Sequence, residues 1–137
     1  MRAPSLFQSA ALLTIILLCS PTGTQAKTPC ETVTPVFGQV LPNVQGQSLS
    51  GLLVTYPPGC KSVAHHHAGA VMAFVLTGHI RSENSATGPT RIYSVGESFF
   101  EPPGSHHTVS ENASATEGAS LLAIFVAETG AALKTDE

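Results

Sequence analysis

From residue 27 onward the chain is a series of short apolar runs. Gly, Pro, Asn and Ser interrupt them roughly every 8 to 15 residues. No stretch keeps a helical period of 3.6 over three turns, and a pattern of this kind is typical of a β-sandwich or β-barrel. We expect the segment from residue 129 onward to be a frayed or weakly helical tail. The predicted strands cover residues 36–41, 49–56, 62–67, 71–76, 79–83, 90–94, 97–100, 107–110 and 121–127.

The run Val71-Met72-Ala73-Phe74-Val75-Leu76 is apolar at every position rather than at alternate ones. A strand with this composition is expected to be buried on both faces. In so small a domain the second face needs either an extra covering strand or a partner subunit. We favour a homodimer, with internal cover as the alternative.

The first 26 residues have the composition of a secretory signal peptide. Arg2 precedes an uncharged apolar run at residues 10–19, and small and polar residues lead to Ala26. A membrane-spanning helix would need roughly 20 continuous apolar residues, and the bulky Leu18 disfavours lipid attachment at Cys19. We therefore predict a signal peptide at residues 1–26, a single domain at residues 27–137, and a secreted or periplasmic protein that is free of the membrane.

The charge balance argues against polyanionic partners. The chain carries a formal net charge of −3, and removing Arg2 with the leader leaves −4. Nucleic acids and anionic membranes attract basic proteins, so neither is an expected partner.

Two cysteines remain after the leader, Cys30 and Cys60. Disulfides persist outside the cytoplasm, so we favour a bridge that attaches the amino-terminal segment just ahead of the histidine cluster. Free thiols, or a functional thiol at Cys60, are the alternatives.

Five of the six histidines fall in two clusters, at residues 65–67 and 106–107. On a strand, residues two apart share a face, so His65 and His67 point together while His66 points away. A third ligand must then come from a neighbouring strand, and His107 is the best-placed donor. Three imidazoles suit Fe, Zn, Ni, Cu or Mn, so we predict a metal site of His65, His67 and His107.

The spacing around these histidines closely resembles the two motifs of the small cupins. Five residues separate Gly59 from the first cluster, and five separate Gly96 from Pro102-Pro103-Gly104, which His107 follows. The resemblance implies an all-β jelly-roll barrel of the cupin type that holds a metal between these strands.

The chain departs from the family pattern at two positions. The pattern has a glutamate ligand where this chain has Val71, and an asparagine where it has Glu111, with Asn112 one position late. We do not expect Glu101 to replace the missing carboxylate, because in similar sequences its position faces out of the barrel mouth. A dication held by three neutral imidazoles keeps its full charge, which favours small anionic ligands.

Three functions follow from this site as hypotheses. Similar cupins with all-histidine sites are dioxygenases, so a metal-dependent dioxygenase acting on a small molecule comes first. A binding module without turnover is the second hypothesis. A metal-dependent isomerase or lyase is the third, and it requires a base that the sequence does not identify. No residue is assigned a catalytic role, and the motifs do not fix the substrate.

Overall fold

The computed structural model describes residues 30–137, so the predicted signal peptide lies outside the described residues. This part of the chain contains no helix, and therefore none long and apolar enough to cross a membrane. Its ten strands are β1 (Thr32–Val40), β2 (Gln47–Tyr56), β3 (His65–His66), β4 (Ala70–Thr77), β5 (His79–Asn84), β6 (Gly88–Ser94), β7 (Ser98–Glu101), β8 (His106–Asn112), β9 (Ala119–Glu128) and β10 (Thr135–Asp136).

The strands form two five-stranded antiparallel sheets. One has the order β1-β2-β9-β4-β7, and the other has the order β10-β3-β8-β5-β6. The inward side chains of both sheets form one core whose most deeply buried members are Val71, Val75 and Ile80. The expected all-β architecture is confirmed.

Two ends of the described chain differ from the predicted elements. The first strand begins at Thr32, four residues earlier than expected. The predicted frayed or weakly helical tail is wrong: Thr135 and Asp136 pair with His66 and His65 as strand β10. This short strand adds to the free edge of β3, whose backbone groups would otherwise lack partners on that side.

Strand β4 alternates between buried and exposed positions, although its sequence is apolar throughout. Val71, Ala73 and Val75 face the core, whereas Met72, Phe74 and Leu76 face outward and are each more than a third exposed. The expectation of burial on both faces is therefore not met within one chain. No strand of residues 30–137 covers this outer face.

The predicted disulfide between Cys30 and Cys60 is present, with the two Cα atoms 5.7 Å apart. The bond joins Cys30, two residues before β1, to Cys60 in the segment that leads into the first histidine cluster. The amino-terminal strand is thereby attached beside the histidine site.

Candidate metal centre

His65, His67 and His107 meet inside the barrel. His65 on β3 and His107 on β8 are direct cross-strand partners, and His67 lies just beyond the end of β3. The ring of His65 is centred 4.8 Å from that of His67 and 5.0 Å from that of His107. One nitrogen from each residue lies within 4.8 Å of the others, and the three residues are at most 6% exposed. The predicted convergence of three imidazoles is therefore present.

Two glycines shape the loops next to these rings, one through a close contact and one through its backbone conformation. A side chain at Gly69, two residues after His67, would lie only 2.3 Å from the carbonyl oxygen of Val126, so only glycine fits there. Gly104 has a φ of 71°, a conformation that favours glycine. Its N–H donates to the carbonyl of His67 at 2.8 Å, which joins the two histidine segments directly.

Hydrogen bonds determine which nitrogen of each ring is free to bind a metal ion. Nδ1 of His65 donates to the carbonyl of Val63 at 2.7 Å, and Nδ1 of His67 donates to the carbonyl of Leu133 at 2.6 Å. In the neutral tautomer each ring then keeps a free lone pair on Nε2. For His107 the pattern is reversed, because Nε2 pairs with the Ser82 hydroxyl at 2.9 Å. Its Nδ1 is buried and has no hydrogen-bond partner among the described residues.

Burial keeps the rings of His65 and His67 neutral. It lowers the pKa of His65 to about 4, against a smaller raising effect of the hydrogen bond to Val63. Burial also lowers the pKa of His67, although nearby Glu101 opposes this. Neutral imidazole is the form that binds metal ions, and the orphaned Nδ1 of His107 is an atom that a metal would satisfy. The residues present therefore fit a divalent transition metal.

The position of Glu101 contradicts the expectation that it faces out of the barrel mouth. Glu101 is only 2% exposed. Its Oε2 lies 2.9 Å from Nδ1 of His107 and 3.7 Å from Nε2 of His67. The physical reason is the pairing of β7 with β4, which places Glu101 directly opposite Val71. Burial raises the pKa of Glu101, but the close contact with His107 outweighs this, and nearby His67 adds to the lowering, so the pKa lies below its usual range.

The late position of Asn112 is accommodated by an irregularity in β8. Glu83 pairs with Val109 and Asn84 with His107, so β8 has one extra residue at Thr108. Such a bulge shifts the alternation of side chains by one, and Asn112 therefore faces inward like His107. Its amide donates to the carbonyls of Pro57 and Glu117 at 3.1 and 2.7 Å, which holds the loops at that end of the barrel.

The remaining histidines lie away from the centre. His66 and His106 are cross-strand partners on the outer face, and both face Glu137. Their side chains are roughly half exposed. His79 is exposed, and Glu97 forms a surface ion pair with Arg91. The outward position of His66 agrees with the alternation expected from the sequence.

The three histidines lie against a mostly apolar cavity of about 80 Å³. Two polar groups on its wall were not singled out from the sequence. The Tyr56 hydroxyl is buried between those of Ser62 and Ser110, at 2.9 and 2.8 Å. Burial is the main cause that raises its pKa.

Glu31 is the second of these groups. Lys134 contacts its Oε1 at 3.2 Å, whereas Oε2 is buried and has no hydrogen-bond partner among the described residues. The sequence contained one usable signal for Glu31. Glu31 follows Cys30, and Cys60 lies five positions before His65. The expected bond between the two cysteines therefore places Glu31 near the histidines.

Comparisons with known proteins agree with this architecture. The family model described as "Cupin domain" matches residues 52–125, and no curated protein matches the sequence. The fold is similar to that of the DMSP lyase DddQ from Ruegeria pomeroyi, with a TM-score of 0.66 and 18% identity over 83% of this chain and 56% of that one. This chain thus spans little more than half the length of that lyase.

Two further solved structures share the fold. KdgF from Halomonas sp. has a TM-score of 0.56 and 18% identity, covering 74% of this chain and 83% of that one. The oxalate decarboxylase of Lactobacillus farciminis, solved as a formate complex, has a TM-score of 0.63 and 17% identity. That match covers 81% of this chain and 32% of the decarboxylase.

Proposed function

This chain belongs to the cupin family, and on that premise we propose that it binds one divalent transition metal at His65, His67 and His107 and acts on a small molecule there. One observation carries the proposal. Three buried imidazoles from two separate segments each direct a nitrogen without a protein hydrogen bond toward a common point. Buried polar atoms are normally satisfied, and the buried Nδ1 of His107 makes no hydrogen bond, which supports a bound group that is not part of the chain.

A metal ion held there would supply a Lewis acid and, if it is iron, redox chemistry with dioxygen. The chain itself orients the three rings through Val63, Leu133 and Ser82. Its apolar wall limits water around the reacting groups. The metals to be considered are Fe, Zn, Ni, Cu and Mn, because all of them accept imidazole.

A dioxygenase is the reaction class that we propose first. The apolar wall, formed by side chains such as Phe99 and Phe125, is compatible with both dioxygen and an apolar substrate. Such a reaction transfers both oxygen atoms to the substrate, so the protein needs to provide geometry and a dry cavity rather than an acid and a base.

A lyase or isomerase is the second candidate, and Glu31 is the observation that favours it. Its unpartnered Oε2 on the cavity wall can accept a proton or a hydrogen bond from a ligand, and Tyr56 lies on the same wall. These groups supply the acid–base chemistry that the sequence did not identify. A binding module without turnover is the remaining alternative.

Turnover assays separate the three candidates. Metal-loaded protein would be incubated with diketones, thiols, catechols, DMSP and oxalate, with and without oxygen. Product formation that consumes oxygen supports the dioxygenase. Product formation without oxygen that is lost in Glu31→Gln supports the lyase or isomerase. Tight binding without product across the panel supports the binding module and contradicts both enzymes.

We also propose that two copies of the chain associate through the outer face of the β1-β2-β9-β4-β7 sheet. The paired positions Phe100, Met72, Ile124, Gly51 and Phe37 form one row across all five strands. Three of these side chains, those of Phe100, Met72 and Phe37, are 38% exposed or more. A contiguous apolar face of this kind is typical of a protein interface.

Sedimentation measurements test the association. Met72→Lys places a charge within the row, between Ile124 and Phe100, and should convert a dimer into a monomer. A wild-type protein that is monomeric at high micromolar concentration would contradict the proposal.

Export from the cytoplasm is likewise a proposal. The disulfide between Cys30 and Cys60 supports it, because such bonds persist in oxidising compartments. Amino-terminal sequencing of the natural protein tests it: the first residue should be Lys27, and a natural protein that begins at Met1 would contradict the proposal.

A further inference from the structure

Val71 and Glu101 are direct partners across the β4–β7 pair. Directly opposed residues on antiparallel strands project from the same face of the sheet, and both side chains line the cavity beside the histidines. The cupin pattern places a glutamate ligand at the position of Val71. This chain has a carboxylate at the same level of the barrel, but on the neighbouring strand.

The carboxylate of Glu101 is held close to two of the three imidazoles. Oε2 lies 2.9 Å from Nδ1 of His107 and 3.7 Å from Nε2 of His67. Asn84 donates to the same oxygen at 3.3 Å and to the Ser105 hydroxyl at 2.9 Å, which fixes the direction of the carboxylate.

These distances fit two ligands of one metal ion. With metal–ligand bonds of about 2.1 Å, adjacent ligand atoms lie roughly 3.0 Å apart in octahedral geometry and 3.4 Å apart in tetrahedral geometry. A simple ion pair between Glu101 and His107 would instead direct the ring N–H at the oxygen. Here Nδ1 lies within reach of the oxygen but makes no hydrogen bond.

We propose that Glu101 is a fourth ligand of the metal ion and replaces, from β7, the glutamate that the family pattern places on β4. The inference rests on the proposed metal binding at the three histidines. Its chemical consequence is that the site carries one negative ligand, so a bound dication keeps a net charge of +1. A carboxylate also strengthens the binding of harder ions such as Mn(II), which imidazoles alone hold less tightly.

The test is a titration of tag-free apoprotein with Mn(II) and, separately, with Zn(II). Glu101→Gln should weaken Mn(II) binding at least about 100-fold, beyond the usual effect of residues that only orient a ligand. Zn(II) should lose less affinity, because three imidazoles are sufficient for zinc. Glu97→Gln is the matched control, because it removes an exposed carboxylate just before β7, the strand that carries Glu101. It should bind both ions as the wild type does.

A second variant moves the carboxylate back across the strand pair. Val71→Glu combined with Glu101→Gln should restore Mn(II) affinity to within about tenfold of wild type. Val71→Glu alone should not tighten binding, because it places a second buried carboxylate against Glu101. The visible spectrum of the cobalt(II) protein should change in Glu101→Gln and return toward the wild-type spectrum in the double variant.

The outcomes separate this inference from the proposed function. If the wild-type protein binds neither ion, the fourth ligand is wrong; if it also takes up no Fe, Ni or Cu, the proposed metal binding is wrong as well. If it binds Mn(II) and Zn(II) and a folded Glu101→Gln has unchanged Mn(II) affinity and an unchanged cobalt spectrum, only the fourth ligand is wrong. If Glu101→Gln does not fold, the double variant decides: near wild-type Mn(II) affinity supports the ligand, and its absence in a folded double variant overturns it.

Discussion

Two pairs of histidines occupy adjacent positions on the same two strands and have opposite surroundings. His65 and His107 face inward across β3 and β8, whereas His66 and His106 face outward one residue away. The inner pair is at most 4% exposed and borders the cavity. The outer pair is in water and contacts the side chain of Glu137.

The comparison shows that side-chain alternation, rather than residue type, decides what each histidine can do. Burial removes water from the inner rings and lowers the pKa of His65, which leaves its imidazole as a neutral nitrogen ligand. The same imidazole in solvent makes only a weak, screened ion pair. The proposed metal site therefore depends on which side chains of β3 and β8 face inward. Substitutions in the inner pair should affect metal binding, whereas substitutions in the outer pair should not.

The largest expected effect is on metal binding. His65→Ala with His107→Ala should abolish stoichiometric binding of Zn(II), because one imidazole of the three remains. His66→Ala with His106→Ala is the matched control on the same strands and should bind as the wild type does. Calorimetric titration of the apoproteins measures both, and equal losses in the two double variants would contradict the comparison.

The next effect is on stability. Cys30→Ser with Cys60→Ser removes a cross-link that spans 30 positions. On the chain-entropy estimate this lowers the free energy of unfolding by about 3 to 4 kcal/mol. Metal affinity should change little, since the inner pair is positioned by β3 and β8. Urea unfolding measures the first quantity, and a large loss of affinity in the folded variant would show that the inner site depends on the amino-terminal strand.

A smaller effect on metal affinity is expected when a serine hydroxyl beside the inner histidine pair is removed, and none when one beside the outer pair is removed. Ser82→Ala removes the hydrogen bond that orients His107 and should lower metal affinity about 10- to 100-fold. Ser85→Ala removes the acceptor of the His106 backbone N–H on the outer side and should leave affinity unchanged. Identical affinities in these two variants would mean that Ser82 does not orient the ligand.

The smallest effect is expected on the stability of the outer pair. His66→Ala with His106→Ala should change the free energy of unfolding by less than about 1 kcal/mol, because exposed ion pairs contribute little. Urea unfolding at pH 6 and pH 8 is the measurement. A loss of several kcal/mol would show that Glu137 anchors the carboxyl-terminal strand through these rings.

Much of the fold and the histidine cluster was predictable from the sequence. Short apolar runs and turn residues indicate strands, and the spacing of His65 and His67 places both on one face. The position of Glu101 was not predictable in the same way. It depends on the register between β4 and β7, which brings Glu101 opposite Val71, and register is a property of pairing rather than of either strand.

Two other features depend on contacts distant in sequence. Strand β10 consists of two residues that pair with β3, too few for a periodic pattern to indicate. The apolar outer positions of β4 predict burial, but the sequence cannot separate cover by the same chain from cover by a second one. In both cases the missing information is which segments meet in space.

Elemental analysis of the natural protein, purified without a tag or added metal, is the decisive test of metal binding. We expect about one equivalent of a first-row transition metal per chain. Protein that is folded, contains less than about a tenth of an equivalent, and does not take up Fe, Zn, Ni, Cu or Mn when they are supplied would contradict it.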